Sequence, residues 1–228
     1  MGPTTTLAIL LLISLCSSGC ERAGQPTAPT PAVMVLAADG KAPSSGPVVL
    51  PLAARGWTEG LTPTYVTFRN DTSGALYVDV PTQVVGYAYT ASPSRAITGT
   101  LSLTMRVDTI SGTPSILPVE PCAASGATVR PFIFSHRNDW SGEFSRWWSN
   151  PERMLLQQGT VSLSIPLTPD RWSSVFGKRG TAVPADFNSA LSDVSSLGVT
   201  FGSDCAFGHG VSVTNGSARW TLTSYKVS

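Results

Sequence analysis

An all-β fold, a two-sheet jelly-roll β-sandwich carrying one short helix, is what this sequence predicts, and three observations predict it. The first is alternation. Leu101, Leu103, Met105 and Val107 interleave with Thr100, Ser102, Thr104 and Arg106, and Val161, Leu163, Ile165 and Leu167 interleave with Thr160, Ser162, Ser164 and Pro166. Period two marks a strand with one face on a core and the other on solvent or a ligand. The second is composition: 42% of the 228 residues are hydrophobic, only 13% are charged, and 18 prolines and 21 glycines interrupt the chain. That is a turn-rich balance with enough apolar material for one core. The third is rhythm. Further strand-like runs at 65–68, 76–80, 84–89, 129–134, 199–201, 211–213 and 220–225 are separated by Gly, Pro, Asn and Ser at the spacing of a sandwich, about nine strands in all.

Taken in order, the chain opens on an apolar run, Leu7 to Leu15, that is half the length of a membrane-spanning helix but suits the core of a cleavable signal peptide. Ser17-Ser18-Gly19-Cys20 follows and resembles a lipobox, where a peptidase cuts before a lipid-modified cysteine. The expectation is a signal peptide over 1–20 and a lipid anchor on Cys20 in a bacterial envelope, with plain secretion as the alternative. Residues 21–62 carry Pro26, Pro29, Pro31, Pro43, Pro47 and Pro51 among Ala, Gly, Ser and Thr and read as an extended tether. Within it, Val33-Met34-Val35-Leu36 and Val48-Val49-Leu50 are short enough to be edge strands of the domain instead. The sandwich is expected over 63–228. One segment departs from period two: Phe187, Ala190, Leu191 and Val194 fall at i, i+3, i+4 and i+7 behind Pro184 and Asp186, which predicts a short helix.

Cysteine usage fits export. With Cys16 inside the signal and Cys20 lipidated, Cys122 and Cys205 remain, each in a small-residue loop beside a strand-like run. A disulfide between them is expected in an oxidising compartment.

The second half runs as an aromatic-rich strand and loop at Phe132 to Trp148, the alternating strand Val161 to Leu167, Trp172 in a loop and the short helix. Leu197-Gly198-Val199-Thr200-Phe201-Gly202 and a terminal strand from Ala218 to Val227 complete it. This order, over roughly 63–228, resembles the galactose-binding-like jelly rolls of carbohydrate-binding modules and related lipoproteins. The resemblance implies a β-sandwich that binds sugar. It lies in architecture and rhythm, so it transfers no ligand residue.

The residues themselves supply a candidate site. His136 to Asn150 holds three of the six tryptophans, Trp140, Trp147 and Trp148, among Arg137, Asp139, Glu143 and Arg146. Indole faces stack on the C–H faces of sugars while Arg, Asp and Glu hydrogen-bond the hydroxyls. Trp140, Asp139, Arg137, Glu143, Arg146 and Trp147 are therefore the predicted ligand-binding residues. Strand geometry sets Trp147 and Trp148 on opposite faces, so at least one of that pair belongs to a core. Trp57 and Trp172 read as loop or edge anchors.

Other chemistry is thin. Asp139, Glu143, Glu152 and Asp170 could supply a glycosidase pair, but loop carboxylates are common. There is no Gly-x-Ser-x-Gly elbow, and only His136 and His209 could serve a nucleophile as base. Cys205 and His209 have ligand-like spacing without two further partners for zinc. No catalytic residue and no cofactor is predicted, although structural calcium is compatible with a jelly roll. A net charge of +1 marks out no nucleic-acid partner. Three functions fit: an envelope protein that binds a glycan or another envelope component without catalysis, a hydrolase using the carboxylates near Asp139 and Glu143, and a structural lipoprotein contacting protein only.

Overall fold

The computed structural model describes residues 47–60, 67–80, 85–122, 126–135 and 142–228. Two antiparallel sheets pack face to face as a β-sandwich. Thirteen strands fall among the described residues: β1 (Val48–Val49), β2 (Trp57–Gly60), β3 (Arg69–Asn70), β4 (Leu76–Val80), β5 (Tyr87–Arg95), β6 (Thr100–Pro118), β7 (Thr128–Ser135), β8 (Arg146–Ser149), β9 (Met154–Leu155), β10 (Gly159–Pro166), β11 (Trp172–Ser174), β12 (Val194–Gly202) and β13 (Val211–Val227). One helix, α1 (Pro184–Ser192), joins β11 to β12. The first sheet runs β10-β6-β13-β4-β3 with β1 on β13, and the second runs β11-β8-β7-β12-β5-β2 with β9 on β7.

The alternation that predicted β6 is observed: Leu101, Leu103, Met105 and Val107 are buried. Their neighbours Ser102 and Thr104 face out and pair hydroxyls with Ser164 and Ser162 of β10 at 3.1 and 2.8 Å. On β10, an edge strand with less cover, only Ile165 is buried and Val161 and Leu163 are half-buried. The separate strands expected at 211–213 and 220–225 are one strand, β13, which pairs along most of β6. Asn215, at φ 59°, shifts its register without ending it.

The helix begins at Pro184, where a missing N–H costs nothing, and buries Phe187, Ala190 and Leu191. It stops at Ser192, so Val194, expected on the same stripe, instead opens β12 and is buried there. Phe187 sits edge-on to Trp147 at 5.0 Å and stacks on Trp172 at 6.4 Å. Trp172 and Trp57 lie on β11 and β2, the two edge strands of the second sheet, and each donates its indole N–H to a proline carbonyl, Pro166 and Pro51, at 2.9 Å.

Across the sandwich, Phe201 meets Trp220 at 5.3 Å, and the Tyr225 hydroxyl of the first sheet donates to the Gly198 carbonyl of the second at 2.9 Å. At the N-terminal side, Val48 and Val49 pair with Val227 and Lys226, and β2 pairs with β5. Residues 47–60 thus belong to the sandwich, and Val48-Val49-Leu50 takes the edge-strand alternative. Cys20, the apolar run before it and Val33 to Leu36 lie outside the described residues. Asn70, at the end of β3, braces the preceding segment: its side chain accepts from the Ala54 amide and donates to the Leu52 carbonyl.

Candidate functional site

Of the predicted ligand residues, Glu143, Arg146 and Trp147 are described, and they lie in three different surroundings. Arg137, Asp139 and Trp140 lie outside the described residues. Trp147 is a core residue, not a ligand contact: it is fully buried, stacks on Phe144 and donates its indole N–H to the Phe144 carbonyl at 2.9 Å. The cause is parity, since on β8 Trp147 shares the inner face with Ile133 while Arg146 and Trp148 face away from the core. Glu143 lines a separate hollow of about 520 Å³ with Asp186 and Asp193 beside α1, and is ion-paired to Lys178 at 2.9 Å. Of these three described residues, Arg146 is the one that lines the groove described next.

That groove lies on the outer face of the second sheet. Pairing sets Tyr89, Gly198, Phe132 and Trp148 side by side across β5, β12, β7 and β8. Tyr87, Thr200 and Arg130 form the next row, and Phe134 and Arg146 flank the first on its other side. Tyr87, Phe132, Phe134 and Trp148 make a second apolar cluster distinct from the sandwich core. Tyr87 is edge-on to Phe132 at 5.1 Å and Tyr89 is edge-on to it at 6.3 Å. Gly198 is required between them, because a Cβ there would come within 2.7 Å of the Tyr89 side chain.

Two loops raise walls on this face. One is Val175-Phe176-Gly177, with Phe176 64% exposed. The other runs from Ser203 to Gly210, where Phe207 meets Trp148 edge-on at 5.4 Å and Gly208, at φ +77°, lies against Tyr87 so closely that a Cβ would fall 2.1 Å from its hydroxyl. Between them is a groove of about 710 Å³ lined by Tyr87, Arg146, Trp148, Asn150 and the two loops. Its size is that of a small-ligand site. The Trp148 indole N–H is buried and has no hydrogen-bond partner among the described residues.

The second loop is tied down twice. Cys122 and Cys205 are disulfide-bonded with Cα atoms 5.9 Å apart, and Cys205 is itself a wall residue. Below, the buried Arg130 spends one guanidinium nitrogen on the carbonyls of Ser149, Pro151 and Glu152 (3.0, 3.4 and 3.2 Å) and the other on the Asp204 carboxylate at 2.9 Å. Its Cζ lies 4.0 Å from the Phe207 ring centre, so one cation holds the 149–152 turn and the 203–210 loop together. Burial brings the Arg130 guanidinium down to about 10, with Asp204 opposing the shift, and it stays charged at neutral pH. Burial also raises the Tyr87 phenol, against the nearby Arg146 charge and hydrogen bonds from Thr200 and Arg146, so it remains a neutral hydroxyl.

Asp139 and His136 lie outside the described residues, and the other side chains considered for chemistry are engaged in structural contacts. Glu152 is held by Arg171, which also pairs with Asp170 at 3.0 Å. His209 meets Glu120 at 2.7 Å, and its proposed partner for zinc, Cys205, is in the disulfide. Among the described residues no three His, Cys, Asp or Glu side chains are grouped to hold a metal. Sequence reasoning missed Tyr87, Phe176 and Phe207 as groove residues because they come from three distant segments. The available signal was β7, where Ile133 sits between two phenylalanines, so that large apolar side chains occupy both faces.

No protein-family model matches the chain, and no curated protein matches it. Among solved structures it is similar to one described as "xylan-binding module CBM15", at 12% identity over 78% of this chain and 97% of that chain, with a TM-score of 0.34. So loose a superposition transfers no residue of the groove.

Proposed function

We propose that this chain is a non-catalytic glycan-binding protein of the bacterial envelope, exported by the segment 1–20 and lipid-anchored at Cys20, with the sugar seated in the groove on the outer face of the second sheet. The observation that carries the binding reading is one groove in which Tyr87, Trp148, Phe207 and the exposed Phe176 surround Arg146 and Asn150. Aromatic faces take the C–H faces of pyranose rings, and the guanidinium, amide and hydroxyl groups take their oxygens. The export reading is supported by the sequence Leu7 to Cys20 and is compatible with the disulfide.

A glycan array probed with residues 21–228 identifies the ligand, and titration calorimetry then compares the Phe176→Ala variant. Loss of one exposed stacking ring is expected to weaken binding about tenfold, or about 1.4 kcal/mol, at unchanged melting temperature. Absence of any glycan ligand, or full affinity in Phe176→Ala, would overturn the reading. For the anchor, Cys20→Ala is expected to abolish fatty-acid labelling and to release the protein from membranes, and membrane partitioning that survives the substitution overturns it.

A further inference from the structure

Among the described residues the two sheets end on β10, β3, β11 and β2, and these edges are not equally protected. An edge strand offers its outward N–H and C=O groups to any other strand, and proteins blunt such edges by shortness, charge or cover. β3 is two residues long and begins with Arg69, and β2 is four residues long and carries Glu59. β11 is three residues long and is capped by 178–180: the Ser174 amide donates to the Lys178 carbonyl and the Gly180 amide to the Trp172 carbonyl. β10 has eight residues without a charge, and its ladder to β6 runs with no register shift. The Leu167 amide donates to the Gly99 carbonyl at 2.9 Å, which continues that ladder and fixes its phase. Odd-numbered residues therefore bond to β6, while Thr160, Ser162 and Ser164 turn their N–H and C=O groups outward. Pro166, also outward, has no N–H, and its carbonyl accepts from Trp172, so that end is closed. No strand lies beyond β10 among the described residues.

We propose that β10 is the docking edge for a second copy of this chain, paired antiparallel about a twofold axis at Ser162. The strand is complementary to itself in that register. Thr160 of each copy faces Ser164 of the other and Ser162 faces Ser162, so the outward N–H and C=O groups of all three residues find partners. On the core side, Val161 of each copy meets Leu163 of the other, and both are only half-buried in the single chain. On the outer face, hydroxyl meets hydroxyl, as Ser162 and Ser164 already do with Thr104 and Ser102 of β6. A shift to an axis at Leu163 sets Thr160 against Pro166 and forfeits bonds there, and a slip of one residue sets apolar side chains against hydroxyls. One strand pair is a small interface, so the dimer is a weak one. Because the axis is normal to the first sheet, the second sheets of the two copies lie on the same side and their grooves open in the same direction. The pairing itself does not depend on what the groove binds.

The test is sedimentation velocity of the folded chain, residues 21–228, with cysteine cross-linking as the readout of register. A dimer is expected to appear as the concentration rises to about 100 μM. Residues opposite each other in a hydrogen-bonded antiparallel pair have Cα atoms about 5.5 Å apart, within disulfide reach. Under mild oxidation Ser162→Cys is therefore expected to give covalent dimer at about ten times the yield of Ser189→Cys, an exposed control on α1. Thr160→Lys combined with Ser164→Lys, both at exposed positions, sets like charges against each other across the axis and is expected to weaken the dimer about tenfold or more at unchanged melting temperature. A chain that stays monomeric at about 1 mM overturns the proposal and leaves the edge to the chain's own Val33 to Leu36 or to another protein. Cross-linking of Ser162→Cys no better than the control, or a dimer that survives the paired lysines, overturns it as well. No sugar enters these measurements, so their outcome leaves the glycan reading to its own test.

Discussion

Removing the disulfide, as Cys122→Ser together with Cys205→Ser, is the perturbation that bears on both fold and groove. The bond closes a loop with a sequence separation of 83, and the loop-entropy relation then gives about 4.5 kcal/mol at 25 °C as the constraint on the unfolded chain. Measured losses for native disulfides run at about 2–5 kcal/mol, and for a domain of this size that corresponds to a fall of roughly 5–15 °C in melting temperature. The local consequence is separable from the global one. Cys205 lies in the loop that carries Phe207 and Gly208 against Trp148 and Tyr87, and without the bond that loop keeps the Arg130–Asp204 ion pair but loses its covalent tie. Hydrogen exchange followed by mass spectrometry is expected to rise in 203–210 well before it rises in β7 or β12, and groove affinity is expected to fall in parallel. A variant that melts within about 2 °C of the parent, with unchanged exchange in that loop, would refute the assignment of the disulfide as its anchor.

Two more predictions concern buried aromatic side chains. Trp147→Ala is expected to cost about 3–5 kcal/mol in urea unfolding, while Trp148→Phe, which keeps an aromatic ring on the groove face, is expected to cost less than about 1.5 kcal/mol; a stable Trp147→Ala protein would place that indole outside the core. Burial raises the Tyr225 phenol well above the ordinary tyrosine range and raises Tyr87 too, so their stabilisation is complete below about pH 10 and is lost as pH rises through the higher folded-state values. The 295 nm absorbance is accordingly expected to show these two tyrosines ionising only together with alkaline unfolding, and Tyr225→Phe is expected to blunt that pH dependence; smooth ionisation of all five tyrosines near pH 10 in the folded protein would refute it.

What the sequence made legible is what period and punctuation encode. The core faces of β4 and β6 follow from alternation alone, and the helix follows from Phe187, Ala190 and Leu191 behind a proline. The length of β13 was hidden because Asn215 and Gly216, which read as a turn, only shift its register against β6. The tether boundary was obscured for a related reason: Pro47 and Pro51 bracket an edge strand of two residues, too short for any period to register. Trp57 and Trp172 looked like anchors and are, each closing one edge of the second sheet through a carbonyl of a nearby proline.

The groove was hard to read for a deeper physical reason. Alternation identifies a strand because one face is wet, yet β7 is buried along its whole length. Its inner side chains fill the sandwich, while Phe132, Phe134 and Arg130 on the outer side are covered by Phe207, Trp148 and the loops that carry them. A functional face that is itself lined with aromatics erases the pattern by which strands are recognised, and the tryptophan-rich segment at 140–148 then presents core and groove residues as one cluster. The discriminating feature within it is parity: Ile133 and Trp147 pair on one side of the sheet, Phe132 and Trp148 on the other. A strand in which large apolar side chains occupy both parities, in a fold of only two layers, implies that something beyond the second sheet covers its outer face. Here part of that cover is the 203–210 loop held by Arg130 and the disulfide, and the space it leaves is the groove.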